Sequence, residues 1–139
     1  MSSMTKRSVW FGRIVLGGAI ALMTRIALGY LVDPAGAVAP HQIVLGSPAA
    51  LTIMRVSGGM FLGVALALVV CLASGRMLAG LGLLATIATT LTAARLVGLA
   101  VDGPAEFTLR VLKPEIALVV LSTAALALEL RRTRITEAP

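Results

Sequence analysis

Charged side chains interrupt the apolar runs of this sequence, and their types indicate where chemistry could take place. They are three arginines and two acids, namely Arg25, Arg55, Arg95, Asp102 and Glu115. A charge inside a membrane span is expensive, roughly 2.5–3.5 kcal/mol for an arginine at mid-helix, and such residues usually face the interior of a helix bundle. Guanidinium groups form strong charge-assisted hydrogen bonds with carboxylates and phosphates. These residues therefore predict ion pairing or the binding of an anion.

The composition indicates that these charges belong to a membrane protein. Of the 139 residues, 58% are hydrophobic and 13% are charged, whereas about a quarter of a soluble domain is charged. The mean hydropathy of +1.00 is too high for all apolar residues to lie in a soluble core. The net charge of +6 does not indicate nucleic-acid binding, because the basic residues flank apolar runs and form no patch. The predicted partner is the lipid bilayer, and no nucleic acid is expected.

Four apolar segments are long enough to cross a bilayer, which takes about 20 residues each. They are predicted at residues 10–31, 48–73, 78–101 and 114–130. Prolines mark the edges of these segments, in Asp33-Pro34, Ser47-Pro48, Gly103-Pro104 and Lys113-Pro114. Proline interrupts a helix but is favoured at its first position. The predicted fold is all-α, an integral membrane up-down four-helix bundle in a single domain, 1–139.

An alternative for the first segment is a cleaved signal peptide that ends at 37–39. The apolar stretch is longer than the usual 7–15 residues of such a peptide. Arg25 interrupts it, and Pro40 would follow the cut. A retained transmembrane helix is therefore the preferred interpretation.

Lysine and arginine in the segment flanks predict the orientation, since short cytoplasmic loops are enriched in them. Seven lie at the two termini and in the second loop, namely Lys6, Arg7, Arg13, Arg76, Arg131, Arg132 and Arg134. Only Arg110 and Lys113 lie in the other two loops. Both termini are therefore predicted to be cytoplasmic.

The charged residues of the spans are predicted to lie at a common depth near the outer face. Arg25 and Arg95 precede the ends of their spans by about six residues, and Arg55 follows the start of its span by about seven, so each lies about 9–10 Å inside. Glu115 opens the fourth span, and Asp102 is two turns from Arg95 on the same face. We expect Arg55 and Arg95 to hold an anion while Asp102 and Glu115 orient them.

Glycines beside Arg55 predict a close helix contact. Gly58 and Gly59 follow it by about one turn, and Gly63 continues a stripe of small residues. Such stripes let a neighbouring transmembrane helix approach closely. Arg55 is therefore expected to point toward another helix.

Structural interpretations of the same charges stay open. Arg25 and Arg55 could extend to the headgroups with their long side chains. The pairs Arg95 with Glu115 and Arg55 with Asp102 could be ion pairs that only fix the helix register. In that case the charged layer is purely structural.

The remaining polar residues are expected to be structural. Glu129 with Arg132 is interpreted as a surface pair, Cys71 as a small buried side chain and His41 as a loop residue. The sequence contains no metal-ligand cluster and no cofactor motif, so no metal, cofactor or catalytic residue is predicted. These features favour a role other than catalysis without deciding the question.

Three stretches together resemble a known family. They are RVSGGMFLG at 55–63, ARLVGLAVDG at 94–103, and the glutamate that opens the fourth span. They are similar to bacterial four-helix membrane proteins grouped as domain-of-unknown-function family 4345. The matching positions are Arg55, Gly58, Gly59, Arg95, Asp102, Gly103 and Glu115, whereas Arg25 matches no motif of the family. The resemblance implies a bacterial inner membrane location and brings no activity. A looser similarity is to DoxX-like membrane proteins.

The sequence therefore predicts a small multi-pass inner-membrane protein. Its predicted function is to bind an anionic or lipid-like ligand in an outward-facing pocket, or to serve as an accessory subunit of a membrane complex. One alternative is a quinone-coupled redox subunit whose cofactor is supplied by its partner. A second is a transporter, which at this length requires a homo-oligomer. A third is a protein whose charged layer is only structural.

Overall fold

The chain is helical over most of the residues that the structure describes, apart from short connections. The structure, a computed structural model, describes the backbone of residues 3–137 and the side chains of residues 9–134. The elements are α1 (Ser3–Val32), α2 (Pro34–Val38), a 3-10 turn (Ala39–His41), α3 (Pro48–Ala73), α4 (Met77–Asp102) and α5 (Glu106–Glu137). No strand occurs within this described range. The prediction of an all-α protein is confirmed.

Four of the helices have the length and apolar composition of membrane spans. Within the described residues these spans are Val9–Val32, Pro48–Ala73, Met77–Asp102 and Glu106–Arg134. The predicted number of spans is confirmed, and the chain is a multi-pass membrane protein. Its orientation stays a prediction, and the side chains of Lys6 and Arg7, on which that prediction partly depends, lie outside the described residues.

Side-chain caps define where the helices begin. The Ser47 Oγ accepts a hydrogen bond from the Ala50 amide at 3.1 Å, directly before Pro48 at the first position of α3. The Asp33 Oδ1 accepts one from the Gly36 amide at 2.9 Å and caps α2. Each cap satisfies an amide that has no partner within its own helix. These caps explain why the edges of α3 and the end of α1 lie where the prolines predict them.

The fourth span begins earlier than the sequence predicts. α5 begins at Glu106, so Pro114 lies inside the helix rather than at its start. Glu106 stabilises the first turn through the helix dipole and pairs with Arg110 at 2.5 Å. The proline only deprives the Arg110 carbonyl of its usual amide partner. One face of α5 stays covered on both sides of the proline, at 107, 108, 111, 112, 115, 118, 119 and 122.

The chain divides into two compact units, which we call the terminal unit (1–16 with 71–139) and the central unit (17–70). In the terminal unit α4 and α5 pack against each other. Its buried residues include Leu81, Leu84, Ser122 and Ala125. The expectation of a single domain stays a prediction.

The central unit contains the second half of α1, the short α2, the 3-10 turn and most of α3. Its buried residues include Ala27, Val38 and Leu68. The rings of Tyr30 and Phe61 meet edge to face, with 6.3 Å between their centroids. This contact joins the end of α1 to the middle of α3.

Candidate functional site

The five predicted site residues belong to both units. Arg25 and Arg55 lie in the central unit, and Arg95, Asp102 and Glu115 lie in the terminal unit.

In the terminal unit, Arg95 and Glu115 form a two-pronged ion pair. The Arg95 Nε donates to Glu115 Oε2 and its Nη2 donates to Oε1, both at 2.7 Å. The side chains are 24% and 17% exposed, so the pair is largely shielded. The Phe107 ring centroid lies 5.5 Å from the Arg95 Cζ, a cation–π distance. The pair links α4 to α5, as the structural interpretation of the sequence proposed.

The surroundings of Asp102 differ from those of Glu115, the other acid among the candidates. It is the last residue of α4, it is exposed, and it forms no ion pair with any described residue. Because Glu115 balances Arg95, the candidate residues of the terminal unit leave one negative charge. An anion is therefore not favoured by the net charge of these three residues.

A cleft opens beside Asp102 at the end of α4. We call it the Asp102 cleft. It has a volume of about 240 Å³ and is lined by Arg95, Gly98, Asp102, Gly103, Pro104, Ala105 and Thr108. A methyl group built on Gly98 would lie 3.7 Å from the Asp102 Oδ2, so the carboxylate lies close over this glycine.

In the central unit, Arg55 reaches the end of α1. Its Nε donates to the Leu31 carbonyl at 3.4 Å, one of the last four carbonyls of α1, which have no partner in their own helix. Gly58 makes this possible, because a Cβ there would lie 2.9 Å from the Tyr30 Cβ and 3.0 Å from the Ala27 carbonyl oxygen. Gly58, about one turn after Arg55, therefore permits the close approach of the helices that brings Arg55 to α1.

The other two predicted packing glycines differ from Gly58. A Cβ on Gly59 or Gly63 would meet no heavy atom within 4 Å in the described chain. These two positions lie on an exposed side of α3. The close approach is thus made at Gly58 and not along the predicted stripe.

Arg25 lies farther from the C-terminal end of α1 than Leu31, whose carbonyl accepts the hydrogen bond from Arg55. It precedes Leu31 by six residues, or about 9 Å along the helix. Arg25 therefore takes no part in the contact between Arg55 and the Leu31 carbonyl. The common depth of the charged side chains stays a prediction.

A second cleft surrounds Arg25. We call it the Arg25 cleft. It has a volume of about 340 Å³ and is lined by Leu22, Arg25, Ile26, Gly29, Tyr30, Ala37 and His41. Arg25 forms no ion pair with any described residue. A Cβ on Gly29 would lie 3.5 Å from the Ala37 Cβ, so the glycine faces the short α2.

The sequence did not indicate that Tyr30 and His41 belong to a candidate site. His41 was interpreted as an ordinary loop residue because nothing in the sequence shows that α2 and the 3-10 turn bring it beside α1. The available signal was Asp33-Pro34, which ends α1 and caps the short α2 directly after it.

The pair Glu129 with Arg132 is not a surface pair. Glu129 is 3% exposed, and Arg132 donates to both of its carboxylate oxygens, with a distance of 2.9 Å from Nε to Oε2. The carboxylate faces the packed side of α5 because it continues the stripe of Ser122 and Ala125. The arginine one turn later supplies the charge that a buried acid requires.

No curated protein and no solved structure matches the chain. A family model does match it, over residues 11–126, and its description is domain of unknown function (DUF4345). The match covers all four spans in whole or large part. It confirms the family resemblance deduced from the arginine and glycine motifs. The chain belongs to the DUF4345 family.

Proposed function

We propose that the protein binds an amphipathic anion, with the charged head at Arg25 and the apolar part along the wall of the Arg25 cleft. The observation that carries the proposal is a guanidinium group in a membrane span that lines a cleft and has no carboxylate partner among the described residues. An arginine in this setting gains most from a carboxylate or phosphate, which it binds through two parallel hydrogen bonds.

The other lining residues suit such a ligand. Leu22 and Ile26 supply apolar contacts, and Tyr30 and His41 supply polar side chains near the same cleft. The volume of about 340 Å³ lies at the lower end of the usual range for small-molecule sites, roughly 300–1,000 Å³. It suits a headgroup and a short part of a chain. We propose a bacterial inner membrane as the location.

The central unit also has the charge that the proposal requires. It contains Arg25 and Arg55, while the Asp33 carboxylate is used as the cap of α2. Arg55 lies outside the cleft lining and bonds a carbonyl of α1. We therefore assign anion binding to Arg25 and a positioning role between helices to Arg55.

Titration with dodecyl phosphate and with dodecanol tests the proposal, because the two probes share a chain and differ in charge. Native mass spectrometry of the detergent-purified protein measures both affinities. We expect dodecyl phosphate to bind at least about tenfold more tightly, since a charge-assisted hydrogen bond contributes about 1.5–3 kcal/mol. Arg25→Gln should abolish this preference, and Gly29→Ala, which narrows the cleft by one methyl group, should weaken binding of both probes.

Arg55→Gln is the matched control, because it removes an exposed arginine from the same unit but not from the cleft. It should keep the preference for the phosphate. If Arg25→Gln binds dodecyl phosphate as the unmodified protein does, the proposal is wrong.

A structural role is favoured for Arg95 and Glu115 by the ion pair that they form with each other. Its two hydrogen bonds fix the register of α4 against α5. This role and ligand binding at Arg25 occupy different units and are compatible.

A further inference from the structure

The Asp102 cleft has the opposite charge to the Arg25 cleft. Arg95 contributes a guanidinium to its lining, but Glu115 balances that charge through two hydrogen bonds. On the facing helix, Arg110 is paired with Glu106. The Asp102 carboxylate, in contrast, forms no ion pair with any described residue. The lining of the cleft therefore attracts a cation.

The position of Asp102 in α4 is electrostatically unfavourable for a carboxylate. It is the last residue of α4, and the last turn contains no basic residue. A carboxylate at the negative end of the helix dipole is destabilised by roughly 0.3–1 kcal/mol, whereas a cation there is stabilised by a similar amount. An acid at this place destabilises its own helix unless a positive charge is bound next to it.

The end of α4 also offers further acceptors. The last four carbonyls of a helix have no partner within it. None of the backbone hydrogen bonds that the described residues form outside their helices goes to a carbonyl of 99–102. Gly103 follows the helix with φ +88°, a value that favours glycine, and α4 ends there. A donor in the cleft can therefore bond to carbonyl oxygens as well as to the carboxylate.

We propose that the Asp102 cleft binds a primary ammonium group. Such a group has three donors and one positive charge, which suit the Asp102 carboxylate, the Thr108 hydroxyl and a carbonyl at the end of α4. The volume of about 240 Å³ admits a headgroup-sized amine. A divalent metal ion fits less well, because the described residues form no group of three His, Cys, Asp or Glu side chains. The amine is either a free small molecule or the head of an aminophospholipid.

The experiment uses the full chain in detergent, titrated with n-butylammonium chloride and followed by ligand-observed NMR. n-Butanol, which has the same chain without the charge, is the reference probe. We expect saturable binding of butylammonium and none of butanol. Asp102→Asn should weaken butylammonium binding by roughly 10- to 100-fold, because it removes a charged hydrogen-bond partner. Gly98→Ala, whose methyl group would lie 3.7 Å from the carboxylate, should weaken it as well.

One matched variant serves as the control. Glu106→Gln removes an exposed carboxylate of the same unit that does not line the cleft. It should bind butylammonium as the unmodified protein does. Thermal unfolding of each variant shows whether it is folded, and a folded Asp102→Asn protein that binds as the unmodified one does overturns the proposal.

Nanodiscs distinguish the two sources of the amine. Discs that contain phosphatidylethanolamine are compared with discs that contain phosphatidylcholine, in which methyl groups block the ammonium donors. If the lipid headgroup is the ligand, only phosphatidylethanolamine competes with butylammonium. If the ligand is a free amine, the two lipids behave alike and butylammonium still binds. Absence of butylammonium binding in detergent and in both kinds of disc contradicts the proposal.

Discussion

Arg95 and Glu115 place two opposite charges where most of their surface is shielded from solvent. Substituting only Glu115 by Gln leaves the guanidinium with a weaker partner, and we expect it to lower the free energy of unfolding by about 1–3 kcal/mol. Unfolding in mixed micelles of detergent and dodecyl sulfate measures this change. The double substitution Arg95→Gln with Glu115→Gln should cost less than the sum of the two single ones, because the residues interact directly.

The exposed pair of Glu106 and Arg110 is the control for this prediction. Its side chains are 83% and 62% exposed, so Glu106→Gln should change the free energy of unfolding by less than about 0.5 kcal/mol. Equal effects of Glu115→Gln and Glu106→Gln would show that the shielded pair does not hold α4 to α5.

At the scale of elements, α3 approaches α1 most closely in the described chain where Gly58 meets Tyr30 and Ala27. Gly58→Ala would place a Cβ 2.9 Å from the Tyr30 Cβ and 3.0 Å from a backbone oxygen. One of the helices must then move, at a cost of about 1–3 kcal/mol. The same unfolding experiment detects this cost.

The neighbouring glycine supplies a control that differs by one position. Gly59→Ala meets open space in the described chain and replaces a poor helix former by a good one. It should leave the stability unchanged or raise it slightly. A loss of stability in Gly59→Ala that equals the loss in Gly58→Ala would contradict the assignment of the contact.

The helices themselves were largely predictable from the sequence, and their mutual positions were not. Apolar length and flanking prolines predict α3 and α4 to within one residue at each end. The predicted start of α5 was wrong. A proline is compatible with the first position of a helix, and also with the interior when the backbone hydrogen bond that it removes lies near the end of the helix. The pair of Arg95 and Glu115 was foreseen as one interpretation, because the two residues flank the same connection and Glu115 lies within reach of a long arginine side chain.

The two clefts were harder to predict. Helical spacing indicates which residues share a face of one helix, but not which loop returns to cover it. The placement of His41 depends on α2, a helix of only five residues, whose sequence carries no apolar periodicity. The net charge of each cleft also depends on which carboxylate each arginine contacts. Those contacts are set by the packing of the helices and cannot be read from the spacing of residues along one helix.

For the whole molecule, the distribution of basic residues predicts that both termini are cytoplasmic. Cysteine labelling tests this in a Cys71→Ala background, which removes the only cysteine. Gly46→Cys lies in an exposed connection where a Cβ meets no atom within 4 Å of the described chain. A membrane-impermeant maleimide should label it in intact cells.

Ser74→Cys, in the connection between α3 and α4, is the complementary position. It should be labelled only after the cells are permeabilised, because this connection carries Arg76 and is predicted to face the cytoplasm. The reverse pattern of labelling would show that the chain is inserted in the opposite sense.

The length of α5 has a consequence for the surrounding lipid. Its 32 residues span about 48 Å, whereas the hydrocarbon layer is only about 30 Å thick. The turns before Pro114 carry charges, and the Arg110 carbonyl there needs a water molecule in place of the missing amide. When the bilayer thickens or thins, the water boundary can therefore move along these turns while the helix stays intact. We therefore expect α5 to stay intact in bilayers of different thickness.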